Sequence, residues 1–278
     1  MAALSWKQPS LKLARRCALL AVAAWLAGCA LPGPTPDVPP AQRALLAPGG
    51  TLRIAVYAGS PTSLVRKVPP AEMRGLSVDI GRELARRLGV AAEIVVFERV
   101  AQVVDALKAG QADFTITNAS PARQRELDFT AAVVALETGY LVAAASPITS
   151  LAEVDRAGVR VGVSQGSTSQ GVLGRELKQA RLIAAPTVAA ATEMLRRGEL
   201  DAFATNKAIL FEMSDSLPGA RVLDGRWGLE QLAIAVPKGR DAGAAYLQAF
   251  ATDVIAQGLV QRAAARAGLR GLARPVTP

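Results

Sequence analysis

Two segments of the chain carry nearly the same phrase, GQADFTITN at 110–118 and GELDAFATN at 198–206. Each follows a run whose apolar residues recur three and four positions apart, which is the spacing of one helical face. In each, a glycine suited to a left-handed helix cap precedes a short strand that opens with aspartate and ends in Thr-Asn. Helix–glycine–strand units are common in α/β proteins, so the rest of the chain must show whether this is a duplicated unit.

Strand-like and helix-like runs alternate along most of the chain, a pattern that predicts parallel sheets flanked by helices. The first series has strands at 52–57 and 93–97, with a helix between them that ends at Gly89. A second series begins near Ser150, has a strand at 159–163 and ends with the second phrase. The chain is therefore predicted to hold two similar α/β units with the phrase at corresponding places.

The predicted fold class is α/β, with two lobes that are each a mainly parallel sheet flanked by helices. Two segments, GYLVAAAS and QLAIAVPKG, are predicted to cross between the lobes. The predicted domains are a first lobe at 50–141, a second lobe at 142–233, and a return to the first lobe with C-terminal helices at 234–278. Ligands of such sheets bind beyond the carboxyl ends of the strands, so Asn118 and Asn206 should line opposite walls of one cleft.

The N-terminal segment, residues 1–28, is typical of a secretory signal. Basic residues precede an apolar run from Cys17 to Ala27 that is too short to span a bilayer. The run ends in Leu-Ala-Gly-Cys, which looks like a bacterial lipobox, so Cys29 is the predicted lipidation site and mature N-terminus. Residues 29–49 are proline-rich and predict an extended tether. The expected location is periplasmic or otherwise extracytoplasmic, at a membrane; the alternative is that the apolar run is a buried helix.

Composition excludes several functions. The chain has no histidine, so Ser-His and Cys-His catalytic pairs are impossible and the commonest metal ligand is missing. Its two cysteines, Cys17 and Cys29, leave the mature domain without a disulfide. The formal net charge is +9, but the arginines alternate with acids and form no basic stripe with aromatics, so nucleic acid is not an expected partner. No cofactor and no metal are expected.

Six segments, taken in this order, resemble the family 3 extracellular solute-binding proteins of bacterial ABC importers, of the polar amino-acid type. They are GTLRIAVYAGS, GLSVDIGRELARRLGV, ALKAGQADFTITNASPARQRELDFT, VRVGVSQGST, LRRGELDAFATN and QLAIAVPKG. The resemblance covers residues 50 to about 268. It implies a two-lobed monomer that closes about a hinge on one small molecule and delivers that molecule to a membrane permease.

The resemblance also implies ligand-binding residues. A Ser-x-x-Arg motif appears as Ser120 and Arg123, and the planar guanidinium would pair with a ligand carboxylate through two hydrogen bonds. Asn118 would contact the same carboxylate. In the second lobe an anion-attracting turn at a helix N-terminus is implied at Gly166, Ser167 and Thr168.

Departures from the family pattern bear on the ligand. Where amino-acid binders carry an aspartate that pairs with the ligand ammonium, this chain has Asn206, and a neutral amide cannot neutralise a cation. The aromatic residue expected after the first strand is absent, although Tyr57 could offer a ring from nearby. These departures favour an acid without an ammonium group. The alternative is that Glu137 supplies the missing negative charge.

Three functions follow from these observations. The leading prediction is a receptor that is not an enzyme and that captures a carboxylate-bearing solute, either an amino acid or a related organic acid. A ligand sensor for a membrane partner would use the same site. A cyclohexadienyl-dehydratase-like enzyme on the same fold would need a carboxylate in the cleft as general acid or base, for which Glu98 and Glu137 are the candidates.

Overall fold

The computed structural model describes residues 38–65 and 73–273. The predicted signal segment, the lipidation site Cys29 and the tether up to residue 37 lie outside the described residues. Within the described ranges, no helix has the length and apolar character needed to cross a membrane.

The elements fall into two lobes joined by two long strands. The first lobe contains α1 (Pro40–Leu46), β1 (Thr51–Tyr57), α2 (Leu76–Leu88), β2 (Ala91–Phe97), α3 (Val100–Lys108), β3 (Thr115–Asn118) and the single turn α4 (Pro121–Gln124). Then β4 (Leu127–Val142) leads to the second lobe, with β5 (Arg160–Ser164), α5 (Thr168–Glu176), β6 (Arg181–Ala185), α6 (Val188–Arg196), β7 (Ala202–Asn206), α7 (Lys207–Ser216) and β8 (Arg221–Val222). Finally β9 (Gly228–Pro237) returns to the first lobe, followed by α8 (Ala244–Ala256) and α9 (Leu259–Arg266).

The sheets combine parallel and antiparallel pairs. In the first lobe β1 pairs in parallel with β2, and in the second lobe β5 pairs in parallel with β6 and β7. The antiparallel pair of β4 and β9 lies between them, with β3 on the outer edge of β9 and β7 on the far end of β4. At Thr138 β4 changes its partner from β9 to β7. The predicted lobe boundaries at 141 and 233 stay a prediction, because this sheet is continuous between the lobes.

Apolar periodicity explains how the helices of the first lobe pack. Leu76, Ile80, Leu84 and Leu88 recur every four residues, and all four are buried in the core that β1 also enters. Gly89 follows with a φ of 66°, the left-handed conformation that closes a helix without steric cost to glycine. The predicted C-terminal helices are present as α8 and α9, and they pack into the same core.

The extended tether predicted over residues 29–49 is wrong for its described part. Residues 40–46 form α1, which begins with a proline at its first position, where the missing N–H costs nothing. Val38 and Leu46 are buried in the first-lobe core. Burial of these apolar side chains outweighs the extended preference of the neighbouring prolines.

The repeated phrase has the same structure in both lobes. Gly110 and Gly198 follow their helices with φ values of 64° and 68°, so both predicted left-handed caps are confirmed. The second of these helices also has a capping side chain at its N-terminus, because the Thr187 hydroxyl accepts a hydrogen bond from the backbone N–H of Ala190 at 3.0 Å.

The aspartate of each phrase binds an arginine on the first strand of its lobe. Asp113 accepts from the backbone N–H of Arg53 at 3.0 Å and from its side-chain Nε at 2.7 Å. Asp201 accepts from the corresponding atoms of Arg160 at 2.7 and 3.0 Å. The sequence similarity thus marks a duplicated tertiary contact that joins the strand of the phrase to β1 in one lobe and to β5 in the other.

The two contacts differ in burial. The Asp113 side chain is fully buried and also accepts from Arg240 at 2.7 Å, whereas the Asp201 side chain keeps 33% of its surface exposed. Burial by itself raises the pKa of Asp113, but the hydrogen bonds from Arg53 and Arg240 outweigh it and hold the pKa below its ordinary value.

We expect Asp113→Asn to cost far more stability than Asp201→Asn. The first substitution leaves Arg240 as a buried cation without its carboxylate, which costs about 3–5 kcal/mol, whereas the second breaks a partly exposed pair, worth about 1 kcal/mol. Urea unfolding of both variants at neutral pH measures the difference.

Because the pKa of Asp113 is depressed in the folded protein, the stability difference between the wild type and Asp113→Asn should depend on pH. The free energy of unfolding of the wild type should exceed that of the variant by the full amount above the ordinary carboxyl pKa, and the difference should shrink as the pH falls below it. Equal losses in the two variants would contradict this account.

Candidate functional site

A cavity lies between the lobes at the carboxyl ends of β1, β3, β5 and β7, the position that this kind of sheet leaves for ligands. Its empty volume, which includes space open to solvent, is about 600 Å³. The wall from the first lobe includes Tyr57, Thr62, Ile116, Thr117, Asn118 and Arg123. The wall from the second lobe includes Ser164, Ser167, Thr168, Thr187, Thr205 and Asn206. Glu230 and Leu232 of the connecting strand β9 complete the lining.

Arg123 is a buried cation in this cavity. Pro121 starts the single turn α4, and the Ser120 hydroxyl caps it by accepting from the Arg123 backbone N–H at 3.4 Å. The turn directs the guanidinium inward, where its Nη1 donates to the Thr117 hydroxyl at 2.6 Å. Burial lowers the pKa of Arg123, partly offset by the negative charge of Glu230. Arginine stays protonated in proteins, so the cavity holds a fixed positive charge.

The two asparagines that end the repeated phrase both line the cavity and are both buried. The amide oxygen of Asn118 accepts from the backbone N–H of Gln231 at 3.1 Å. The amide oxygen of Asn206 caps α7 by accepting from the backbone N–H of Ile209 at 3.2 Å, and its nitrogen donates to the Glu230 carboxylate at 2.9 Å. Their side-chain contacts therefore differ, although their places in the two lobes correspond.

Part of the predicted turn of the second lobe lines the cavity. Ser167 and Thr168 line the cavity, and the Ser167 hydroxyl caps α5 by accepting from the Gln170 backbone N–H at 3.1 Å. Gly166 and Ser120 do not line the cavity. They line an adjoining, more open crevice between the lobes, whose empty volume is about 1600 Å³ and which Ser167 and Thr168 also line.

Gly166 marks a close approach between the lobes. Its φ is +72°, and a Cβ placed on it would lie 2.6 Å from the Cβ of Ala101 in α3 of the first lobe. Only a hydrogen at this position allows the two lobes to meet as they do here.

Tyr57 lies between the cavity and the apolar core of the first lobe. Its ring lines the cavity and also packs against the apolar cluster around α3. Burial raises the pKa of its hydroxyl, with hydrogen bonds from Ser60 and Thr62 acting in the opposite direction. The neutral phenol is therefore the form present at neutral pH.

Glu230 is an acidic residue of the cavity that the sequence analysis did not identify. Burial raises the pKa of its carboxyl group, while the Asn206 amide and the charge of Arg123 act against that rise. Nothing in the local pattern WGLEQLAIAV distinguishes Glu230 from any polar residue at the start of a strand. Its position two residues before the apolar run of a predicted crossing was the one available signal.

The two carboxylates that the sequence analysis named as cleft candidates, Glu98 and Glu137, lie in different places. Glu98 lines the cavity, next to Arg99. Glu137 does not line it, because its carboxylate binds the Lys207 ammonium at 2.8 Å and Arg226 at 3.3 Å. The hydrogen bond from Lys207 holds the pKa of Glu137 below its ordinary value. The expectation that Glu137 supplies the negative charge of the cleft is therefore wrong. In the part of the chain that the structure describes, no cluster of three acidic or thiol side chains is placed to hold a metal ion.

Comparison with known proteins agrees with this architecture. The family model described as bacterial extracellular solute-binding proteins, family 3, matches residues 52–267. The ABC transporter glutamine-binding protein GlnH of Bacillus subtilis is 26% identical over 175 residues, which are 62% of this chain and 64% of that protein. The chain thus matches slightly less than two thirds of the length of this relative.

Solved structures show the same fold. A solute receptor for L-cysteine from Neisseria gonorrhoeae superposes with a TM-score of 0.71 at 21% identity, covering 81% of this chain and 96% of that one. An ancestral amino-acid-binding protein, AncCDT-1, described as a precursor of cyclohexadienyl dehydratase, superposes with a TM-score of 0.68 at 22% identity, covering 78% and 95%. At these identities the similarity establishes the two-lobed fold.

Proposed function

Since the chain belongs to the bacterial extracellular solute-binding proteins of family 3, we propose that it is the extracytoplasmic receptor of an ABC importer. It captures a small carboxylate-bearing solute, an amino acid or a related organic acid, between its lobes. The observation that carries this proposal is the Arg123 guanidinium, which is buried in the cavity and forms no salt bridge with any residue that the structure describes.

The energetics of a buried cation support a carboxylate ligand. A charge buried without a partner costs several kcal/mol, on the order of the 3–5 kcal/mol lost when one member of a buried pair is removed. A guanidinium has five N–H donors, and the Thr117 hydroxyl occupies one of them. A ligand carboxylate would accept two of the others in the bidentate arrangement that makes such pairs strong.

Closure of the two lobes around the solute is the proposed mechanism of capture. A ligand held between Arg123 of the first lobe and the Ser167–Thr168 turn of the second contacts both walls only when the lobes are together. Its differential affinity then shifts the population toward the closed form. The long strands β4 and β9 are the natural hinge, because they are the two strands that run between the lobes.

The membrane partners follow from the family and the N-terminal motif. An ABC permease receives the solute, and a lipid on Cys29 holds the monomeric receptor at the membrane surface. The same closed form could instead be presented to a membrane sensor. Neither use requires nucleic acid or a cofactor.

An enzyme of the cyclohexadienyl-dehydratase kind is a second candidate, favoured by one observation. Glu230 is a cavity carboxyl group with a raised pKa, the property that suits a general acid. Incubation of the purified protein with a cyclohexadienyl acid such as arogenate decides between the two. We expect binding without product, and turnover would establish the enzyme.

We expect Arg123→Ala to remove carboxylate binding. A thermal-shift screen against amino acids, 2-oxo acids and dicarboxylates should find a ligand that raises the melting temperature of the wild type by several degrees. The substitution should weaken the affinity for that ligand roughly 100-fold or more, because it removes one partner of a desolvated charge pair. Arg125→Ala is the matched control, because Arg125 is exposed two positions further on. An unchanged response of Arg123→Ala would exclude this site.

We expect Gly166→Ala to weaken ligand binding without touching the ligand. The new methyl group would meet Ala101 and hold the lobes apart, at a cost of about 1–3 kcal/mol in the closed form. Adding Ala101→Gly should restore affinity, because it removes the opposing methyl group. The strain of alanine at positive φ would remain as a lower melting temperature of the unliganded protein. Native affinity in Gly166→Ala, measured by titration calorimetry, would show that the lobes do not close through this contact.

We expect Cys29→Ser to release the protein from the membrane. Loss of the acyl chains removes the apolar area that anchors a lipoprotein, so the variant should move from the membrane pellet to the soluble fraction on ultracentrifugation. Cys17→Ser should stay in the pellet, because Cys17 lies inside the predicted signal segment. Retention of Cys29→Ser in the pellet would contradict lipidation at this site.

A further inference from the structure

Two opposite charges share the cavity without pairing with each other. Arg123 donates to the Thr117 hydroxyl, and Glu230 accepts from the Asn206 amide nitrogen. Neither side chain forms a salt bridge with any residue in the described ranges 38–65 and 73–273. A site evolved to bind a simple anion would gain nothing from Glu230, because a partly buried carboxylate repels an anion and is partly desolvated.

The two charges come from different parts of the fold. Arg123 stands on the single turn α4 of the first lobe. Glu230 lies on the connecting strand β9, opposite Leu136 of β4, and its carboxylate is oriented from the second lobe by Asn206 at the start of α7. A ligand that reaches from one charge to the other therefore contacts Arg123 of the first lobe and Glu230 of the hinge strand. Because Asn206 holds Glu230 in place, the second lobe also takes part in this arrangement.

The remaining charged groups of the cavity lining do not alter this balance. Glu98 and Arg99 are adjacent in sequence and opposite in sign, and Glu98 is largely exposed to solvent. The charged side chains that line the cavity are thus two cations and two anions. A solute that carries one positive and one negative group matches this arrangement, whereas a solute with a carboxylate alone leaves Glu230 uncompensated.

We propose that Glu230 determines the specificity of this site by binding the cationic amino group of a zwitterionic solute whose carboxylate binds Arg123. Asn206 is a positioning residue in this arrangement, because its amide donates to Glu230 and its oxygen caps α7. The inference rests on the proposed receptor function. It replaces the expectation, drawn from Asn206 alone, of an acid without an ammonium group. The carboxylate is present, but on β9, which is separated from β7 by β4 in the sheet.

A comparison of matched ligands tests the inference in the wild type, without any substitution. Titration calorimetry of the purified chain would use the common L-amino acids and, for each that binds, the acid lacking the amino group, such as propionate for alanine and 4-carbamoylbutanoate for glutamine. We expect the amino acid to bind at least 30-fold more tightly than its desamino partner. Equal affinity, or a preference for the desamino acid, would overturn the inference.

Glu230→Gln identifies the residue responsible, because it removes the charge and keeps the shape. We expect this variant to bind the amino acid at least 30-fold more weakly than the wild type, and the desamino acid as well as or better than the wild type. An amino-acid affinity within threefold of the wild type would overturn the inference. The matched control is Glu137→Gln, a carboxylate on the paired strand that points to Lys207 and should leave both affinities unchanged.

A second variant separates ligand recognition from a structural role. Adding Asn206→Asp to Glu230→Gln places a carboxylate beside the position that the Glu230 carboxylate occupied in the wild type. The amino-acid affinity of the double variant should therefore be at least tenfold higher than that of Glu230→Gln. No recovery, with a melting temperature equal to that of the wild type, would count against the inference. Failure of the proposed receptor function would look different, because then no probe of either kind would bind the wild type.

Discussion

The antiparallel pairing of β4 with β9 is the contact on which both lobes and the cavity depend. It runs from Leu127 opposite Pro237 to Thr138 opposite Gly228. On its outer side β3 pairs with β9 from Leu232 to Ala235, and β7 pairs with β4 from Thr138 onward. Asn118 and Asn206 close those attached strands, so the pairing brings the ends of the repeated phrase to one space. A parallel sheet alone could not do this, because its strands would all end on the same side of a single lobe.

The cavity keeps opposite charges apart at an energetic cost. Arg123 and Glu230 would gain by forming a salt bridge, but each is held by its own neutral partner, Thr117 or Asn206. Burial acts on both groups in the direction that disfavours charge, lowering the pKa of the guanidinium and raising that of the carboxyl group. Charged groups that lack an ion-pair partner in such a cavity reduce stability, and a ligand that neutralises them recovers that free energy as binding affinity.

The local pattern of apolar and capping residues was sufficient to predict most of the helices and strands. The four-residue spacing of Leu76 to Leu88 predicts α2, and the glycines at 110 and 198 mark helix ends where the structure has them. The prediction of secondary structure failed where a contact between residues distant in the sequence determines the conformation. The proline-rich stretch near residue 40 forms a helix because Leu46 is buried in a core assembled from distant segments, and β4 extends back to Leu127 because β9 lies beside it. Neither partner is visible in the local sequence.

For the site, the sequence by itself determined the fold class, the Ser-x-x-Arg motif that carries Arg123, and the polar ends of the two duplicated strands. These depend on spacing, capping and turn chemistry, which act within a few residues. Only the tertiary structure decided that Glu230 enters the cavity, that Glu137 turns away to Lys207, and that Gly166 and Ser120 lie in the adjoining crevice. The physical reason is that a charged side chain on a crossing strand turns toward the residues of the other lobe that can donate a hydrogen bond to it. Those residues are distant in the sequence, so residue spacing does not predict which of them will be near.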